Sequence, residues 1–280
     1  MFRHTLRRLR GQMIGWGLAL AVLGFGIASL FNTVSQMRDQ IEQLIGTLPP
    51  AVLAFAGNID RMFSPAGYLD ARYFLLMPLI LGVFTVVIGS GLIANDEENG
   101  TLDLILAQPI SRTQLFLGRW LAFLGALIGI LFIAWLGLVI AIVLTSIDLN
   151  PLQVALPFLS LFGILIWFGS FALMLSLIVP SRRAAASLSG LLLVASYFIT
   201  TLARVSTDLA VLAKFSPLNY YQGGDALNGL NVVWLAGLLI ASIVFTAIAW
   251  WWFQRRDIRV FGEGTWGLNL SRIGAKMRSH

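Results

Sequence analysis

Cysteine is absent from this 280-residue chain, which excludes disulfides, thiolate nucleophiles and cysteine-based metal sites. Histidine is nearly absent: His4 and His280 stand in opposite terminal tails, so a histidine metal site is not expected. Charge is scarce as well. Charged residues make up 11% of the chain and apolar residues 58%, with a mean hydropathy of +0.84. Soluble domains hold about 25% charged and 45–50% apolar residues. Such a balance needs lipid as solvent. No G-x-x-x-x-G-K-[ST] run occurs, so the chain does not cradle nucleotide phosphates in that way. No Ser/His/Asp arrangement or paired carboxylate site appears within the apolar segments, and no catalytic residue is expected.

The net charge of +6 and a pI near 10.3 could suggest nucleic acid. That would require Lys and Arg gathered on a folded polar face. Here they flank apolar segments, the pattern of anchoring at a membrane surface, and no nucleic-acid partner is expected.

Six segments are long and apolar enough to cross a bilayer, at residues 13–31, 73–94, 121–145, 156–179, 184–202 and 232–253. Within these bounds none contains Asp, Glu, Lys or Arg. A backbone in lipid must satisfy its own hydrogen bonds, so the segments read as helices. The expected class is an all-α integral membrane protein forming one domain over residues 1–280, with no internal repeat. Fourteen of the 19 basic residues fall in the two tails and the second and fourth connections, and five on the other side. This asymmetry predicts a multi-pass inner-membrane protein with both termini cytoplasmic, and makes residues 95–120 a cytoplasmic loop. The first apolar run is longer than a signal-peptide core and lacks an A-x-A exit, so it reads as a retained span. Phe2, Leu6, Leu9 and Met13 recur at helical spacing opposite arginines. They predict a short helix lying in the headgroup layer before the chain turns inward. Met37, Ile41, Leu44 and Ile45 form a second amphipathic pattern, and Ser64-Pro65 reads as a helix start.

The stretch NDEENGTLDLILAQPISRTQLFLGRW, Asn95–Trp120, separates the second and third spans. Thr101 can cap a short helix whose first turn contains Asp103, an acid suited to the N-terminal dipole. Leu102, Ile105 and Leu106 share one face, and Pro109 stops the helix. Ser111-Arg112-Thr113-Gln114 is a capping box that starts the next helix. A connector needs only a few flexible residues. Two readings of this rigid element stand side by side on physical grounds. It either buries its leucines among headgroups or docks on a protein with a basic surface, which the acids favour over an anionic leaflet.

Asp96, Glu97 and Glu98, then Gly100, Thr101 and Leu102, a leucine run, and Pro109, Ser111 and Arg112 together resemble the first cytoplasmic loop of type-2 ABC exporter permeases. Arg119 stands where lysine is more usual, keeping the charge. The segment SPLNYYQGG, Ser216–Gly224, is similar to a Ser-Pro-x-x-Tyr stretch before the last span in that family. The resemblance implies that residues 95–120 carry a coupling helix seated in a cleft of a separate ATPase subunit. It further implies two permease chains with two ATPase chains, with ATP and Mg bound by the ATPase and no cofactor in this chain.

Thr85, Ser90, Ser196 and Thr200 are the candidate contacts to cargo, although such hydroxyls more often bond helix carbonyls. The uncharged lining favours an apolar or amphipathic cargo, a drug or lipid. Rival readings are an ion-coupled secondary carrier, which intramembrane charges would have supported, and a non-transporting membrane scaffold.

Overall fold

The computed structural model describes residues 2–37, 63–145, 147–203 and 210–255. Among these there is no β-strand, and six helices are long and apolar enough to span. α1 is Phe2–Gln36. α2, Pro65–Leu69, runs through a π-helical turn at Asp70–Phe74 into α3, Met77–Gly91. Two short helices follow, α4 (Ala94–Glu98) and α5 (Leu102–Leu106). Then come α6 (Arg112–Thr145), α7 (Ala155–Ile178), α8 (Arg182–Ala203), the single turn α9 (Ala210–Ala213) and α10 (Val232–Arg255). Six crossings bring the start of α1 and the end of α10 to the same end of the bundle as α4 and α5, the loop end.

The structure corrects the expected interfacial helix. α1 continues without a break from Phe2 to Gln36, about 52 Å at 1.5 Å per residue, well beyond a hydrocarbon core of about 30 Å. Its N-terminal apolar stripe has protein, not lipid, to pack on, because α6 is also 34 residues long and runs out beside it. Glycines on α6 admit the stripe. A Cβ at Gly125 would lie 3.7 Å from Leu6, and one at Gly129 would run into the Met13 Sδ. Leu9, on the same stripe, is buried as well. The second amphipathic pattern falls, beyond Met37, outside the described residues.

Ser64 caps α2 as expected, its Oγ accepting the Gly67 N–H at 3.1 Å, with Pro65 in the first turn. The helical segment therefore begins before residue 73, and Asp70 and Arg72 lie inside it. The expectation of a charge-free second span holds only for its apolar part. Asp70 is buried, and its Oδ1 accepts the Gly224 N–H at 2.7 Å.

The core is aromatic where the π-turn meets α7: Tyr73, Phe74 and Phe158 form edge-on and tilted contacts. The Tyr73 hydroxyl donates to the Leu20 carbonyl of α1 at 3.2 Å. α7 is the central helix, packing against both α3 and α10, and 67% of its most apolar window is buried. α8 and α10 bury only 22% and 17% of theirs.

At the end opposite the loop, two 3-10 turns, Pro217–Tyr220 and Gly223–Asn228, knit the spans together. The Tyr221 hydroxyl donates to the Phe74 carbonyl at 3.0 Å, and the Gln222 N–H donates to the Ser160 hydroxyl at 3.0 Å. Gly223 has φ +50°, and a Cβ at Gly224 would run into that of Asp70, so this segment needs both glycines.

Candidate functional site: the element between the second and third spans

Sequence and backbone agree over residues 102–115, while α4 and the turn at Gly100 are supplied by the structure. α4 ends in a Schellman motif: the Thr101 N–H reaches the Asp96 carbonyl at 2.9 Å and the Gly100 N–H reaches that of Glu97 at 3.1 Å. Gly100 sits at φ +67°, where a Cβ is strained. Gly100→Ala should therefore lower stability by about 1 kcal/mol, read as a fall in thermal midpoint of the purified protein. Gly100→Asn should lose less, since asparagine tolerates this backbone better.

α5 then spans Leu102–Leu106, with Asp103 in its first turn, and ends three residues before Pro109. The Thr101 hydroxyl donates back to the Asp96 carbonyl at 3.2 Å, so it fastens α4 to α5. The capping box forms in both directions. The Gln114 N–H donates to Ser111 Oγ at 3.1 Å, and the Ser111 N–H donates to Gln114 Oε1 at 3.3 Å.

Leu102, Ile105 and Leu106 do share a face, but it points into the protein. Leu102 is 2% exposed and packs among Ile93, Leu115, Phe116, Leu177 and Phe253. The outward face of α5 carries Leu104, 72% exposed, with Gly100, Thr101, Gln108 and Pro109 also exposed. Leu104 was not singled out from sequence. Its signal was its place opposite Leu102 and Leu106 on the helix, with no polar substitute at that position.

The acids are mostly engaged within the chain. Asp96 forms an ion pair with Arg119 of α6, whose second N–H group donates to the Leu92 carbonyl at 2.7 Å. Arg119 is buried, so its charge depends on Asp96. Glu98 accepts the backbone N–H of Arg182 at 3.0 Å, an acid at the N-terminus of α8, where the helix dipole favours it. The Arg182 guanidinium donates to Asn95 Oδ1 at 2.9 Å. Arg112 donates to the Phe253 carbonyl at 3.1 Å and lies over the Phe253 ring, tying the start of α6 to the end of α10. Glu97 is half-buried. The short element is thus fastened to α6 and α8 by polar bonds and leans on α7 and α10 through Leu102, while its tip faces outward. Arg182 and Phe253 were not legible as partners because they lie far along the chain.

A family model described as "ABC-2 family transporter protein" matches residues 2–258. The chain belongs to the ABC-2 transporter family. It is a multi-pass membrane protein with the make-up of a transport subunit. It is similar to the uncharacterized protein YhcI of Bacillus subtilis (strain 168), 26% identical over 204 residues, 64% of this chain. The matched region spans 65% of that relative's length. The uncharacterized membrane protein YdbK of the same organism is 23% identical over 231 residues, covering 74% of this chain and 88% of the relative.

The four candidate cargo contacts do not form one site. The Thr85 hydroxyl donates to the Gly82 carbonyl at 2.9 Å and the Ser90 hydroxyl to that of Val87 at 3.2 Å, each within α3. Ser196 and Thr200 meet Ser216 at the opposite end of the bundle: Ser216 Oγ donates to the Ser196 carbonyl at 3.2 Å and lies 2.9 Å from Thr200 Oγ1. Among the described residues no cluster of three or more metal-ligating side chains occurs.

Proposed function

We propose that this chain is the permease subunit of an ATP-driven ABC exporter, and that residues 95–120 are the cytoplasmic element on which a separate ATPase subunit docks. The observation that carries the reading is Leu104, a large apolar side chain at the tip of a helix whose other face is buried. In water such a residue gains by burial against a partner, and anchors of this kind dominate interface energetics. The anchoring bonds give a mechanism for transmission. A push on α5 reaches α6 through Asp96–Arg119 and α8 through Asn95, Glu98 and Arg182. ATP binding in the partner would then bias the spans between two arrangements. ATP and Mg²⁺ stay with the partner. A second permease chain, identical or not, completes the path, and the sparsely buried α8 and α10 offer it the most surface. The charge-free apolar parts of the spans favour an apolar or amphipathic cargo.

Sidedness is tested with single cysteines, which are clean probes in a chain that has none. Asn99 and Asn228 are both exposed, at opposite ends of the bundle. In intact cells Asn228→Cys should react with an impermeant thiol reagent and Asn99→Cys should not. The reverse pattern places the loop outside and removes the ATPase reading. Co-purification of an ABC ATPase with the tagged chain, and nucleotide-stimulated cargo flux in vesicles, test the docking itself.

A further inference from the structure

At the loop end, the first turns of α1, the end of α3 and the α4–α5 element, with Arg119 of α6 and Arg182 of α8, line a half-open cleft of about 630 Å³, within the roughly 300–1,000 Å³ of small-molecule sites. Three guanidiniums line it, those of Arg8, Arg119 and Arg182, against one carboxylate, Asp96. Asp96 is paired with Arg119. The Arg182 side chain donates to Asn95, a neutral amide, which leaves most of its five donors for another acceptor. Glu98 takes the Arg182 backbone N–H and does not line the cavity. Arg8 is exposed and has no ion pair among the described residues. The lining carboxylate therefore offsets only one of the three charges. The rest of the wall is mixed: His4, Thr5, Gln12 and Gln108 are polar, while Leu9, Val87, Ile88 and Leu92 give it an apolar side.

Depth selects among anions. Arg182 is the first residue of α8, and Arg119 lies just before the uncharged part of α6, so the cavity sits where the spans leave the hydrocarbon. Lipid phosphates occupy that level, and flanking arginines are found there. Guanidiniums recognise phosphate oxygens with paired N–H donors.

We propose that this cavity binds the phosphate headgroup of an anionic phospholipid from the adjacent leaflet, with Arg8 and Arg182 reaching the phosphate and the acyl chains leaving along Leu9 and Ile88. A free phosphate offers the same charge but nothing for the apolar side of the wall. A bound headgroup joins α1 to α8 across the cavity, beside the Asp96–Arg119 pair. The site depends on neither the docking of an ATPase nor the side of the membrane on which the loop lies.

The test uses the full-length chain purified in an uncharged detergent and stripped of lipid. Phosphatidylglycerol, phosphatidylcholine and inorganic phosphate are titrated separately, reading the thermal midpoint and the lipid retained in native mass spectrometry. Phosphatidylglycerol should raise the midpoint and remain bound, while phosphatidylcholine and inorganic phosphate should do neither. Arg8→Gln should weaken phosphatidylglycerol binding about five-fold, the effect of one basic residue near an anionic surface. Arg10→Gln, which removes an exposed charge of the same helix outside the cavity, should change it by less than about two-fold. Arg8→Lys should recover part of the loss. Equal binding of the two lipids, or equal losses from Arg8→Gln and Arg10→Gln, overturns the site. Stabilisation by inorganic phosphate alone, matching that by phosphatidylglycerol, overturns the lipid as its occupant.

Discussion

Asp96→Ala should strongly destabilise the loop end. Removing the carboxylate leaves the Arg119 guanidinium buried with a carbonyl partner but no counter-charge. Stranding one member of a buried pair costs about 3–5 kcal/mol, and partial exposure of Asp96 puts the expectation near the lower end, about 3 kcal/mol. The loss should appear as a lower thermal midpoint of the purified chain. Arg119→Met combined with Asp96→Ala should recover much of it, because no charge is then left stranded and the methionine fills part of the volume. Arg119→Lys should recover little of the native geometry. A single ammonium cannot reproduce the guanidinium fork that meets the Asp96 carboxylate and the Leu92 carbonyl together. If Asp96→Ala matches the parent in stability, the pair is solvated and cannot transmit force from α4 to α6.

The second large effect separates two leucines two residues apart. Leu102→Ala should cost about 2–5 kcal/mol of stability, the range for truncating a buried leucine. Leu104→Ala should leave the thermal midpoint unchanged, because its side chain is mostly in water. Its effect should fall on the partner, weakening ATPase association by about 1–3 kcal/mol, or roughly 5- to 150-fold. A salt titration adds a further distinction. Docking through an apolar tip should be less salt-sensitive than docking through the acids, two of which already have partners within the chain.

How far this could be read from sequence depends on the range of each interaction. The capping box at Ser111 and Gln114 and the Ser64-Pro65 start are local, and each formed as its spacing implied. The spans were legible because lipid leaves the backbone no alternative to helix, and their charge-free bounds sit inside the observed helices within a few residues at most ends. The direction of a face was harder. The leucine stripe of α5 was found, but periodicity does not say whether an apolar face meets a partner, a bilayer or its own chain. Phe116, Leu177 and Phe253, from three distant helices, decided that it meets its own chain. The same ambiguity explains α1, whose stripe suited a headgroup layer until the glycines of α6 supplied a protein groove. The acids were read as a surface for a partner. Asp96 and Glu98 instead have Arg119 and Arg182 as partners, contacts no local pattern encodes.

The claim that the outward tip of α5 meets an ATPase is tested most directly by photo-crosslinking in intact cells. A photoreactive phenylalanine analogue is placed at Leu104 in one strain and at Leu117, an exposed residue on α6, in another. Products are identified by mass spectrometry. The account predicts a crosslink from position 104 to the ATP-binding subunit of an ABC transporter, and a much weaker one from position 117. Crosslinks from position 104 to lipid alone would contradict it, and α5 would then be a membrane-surface helix with no partner to couple.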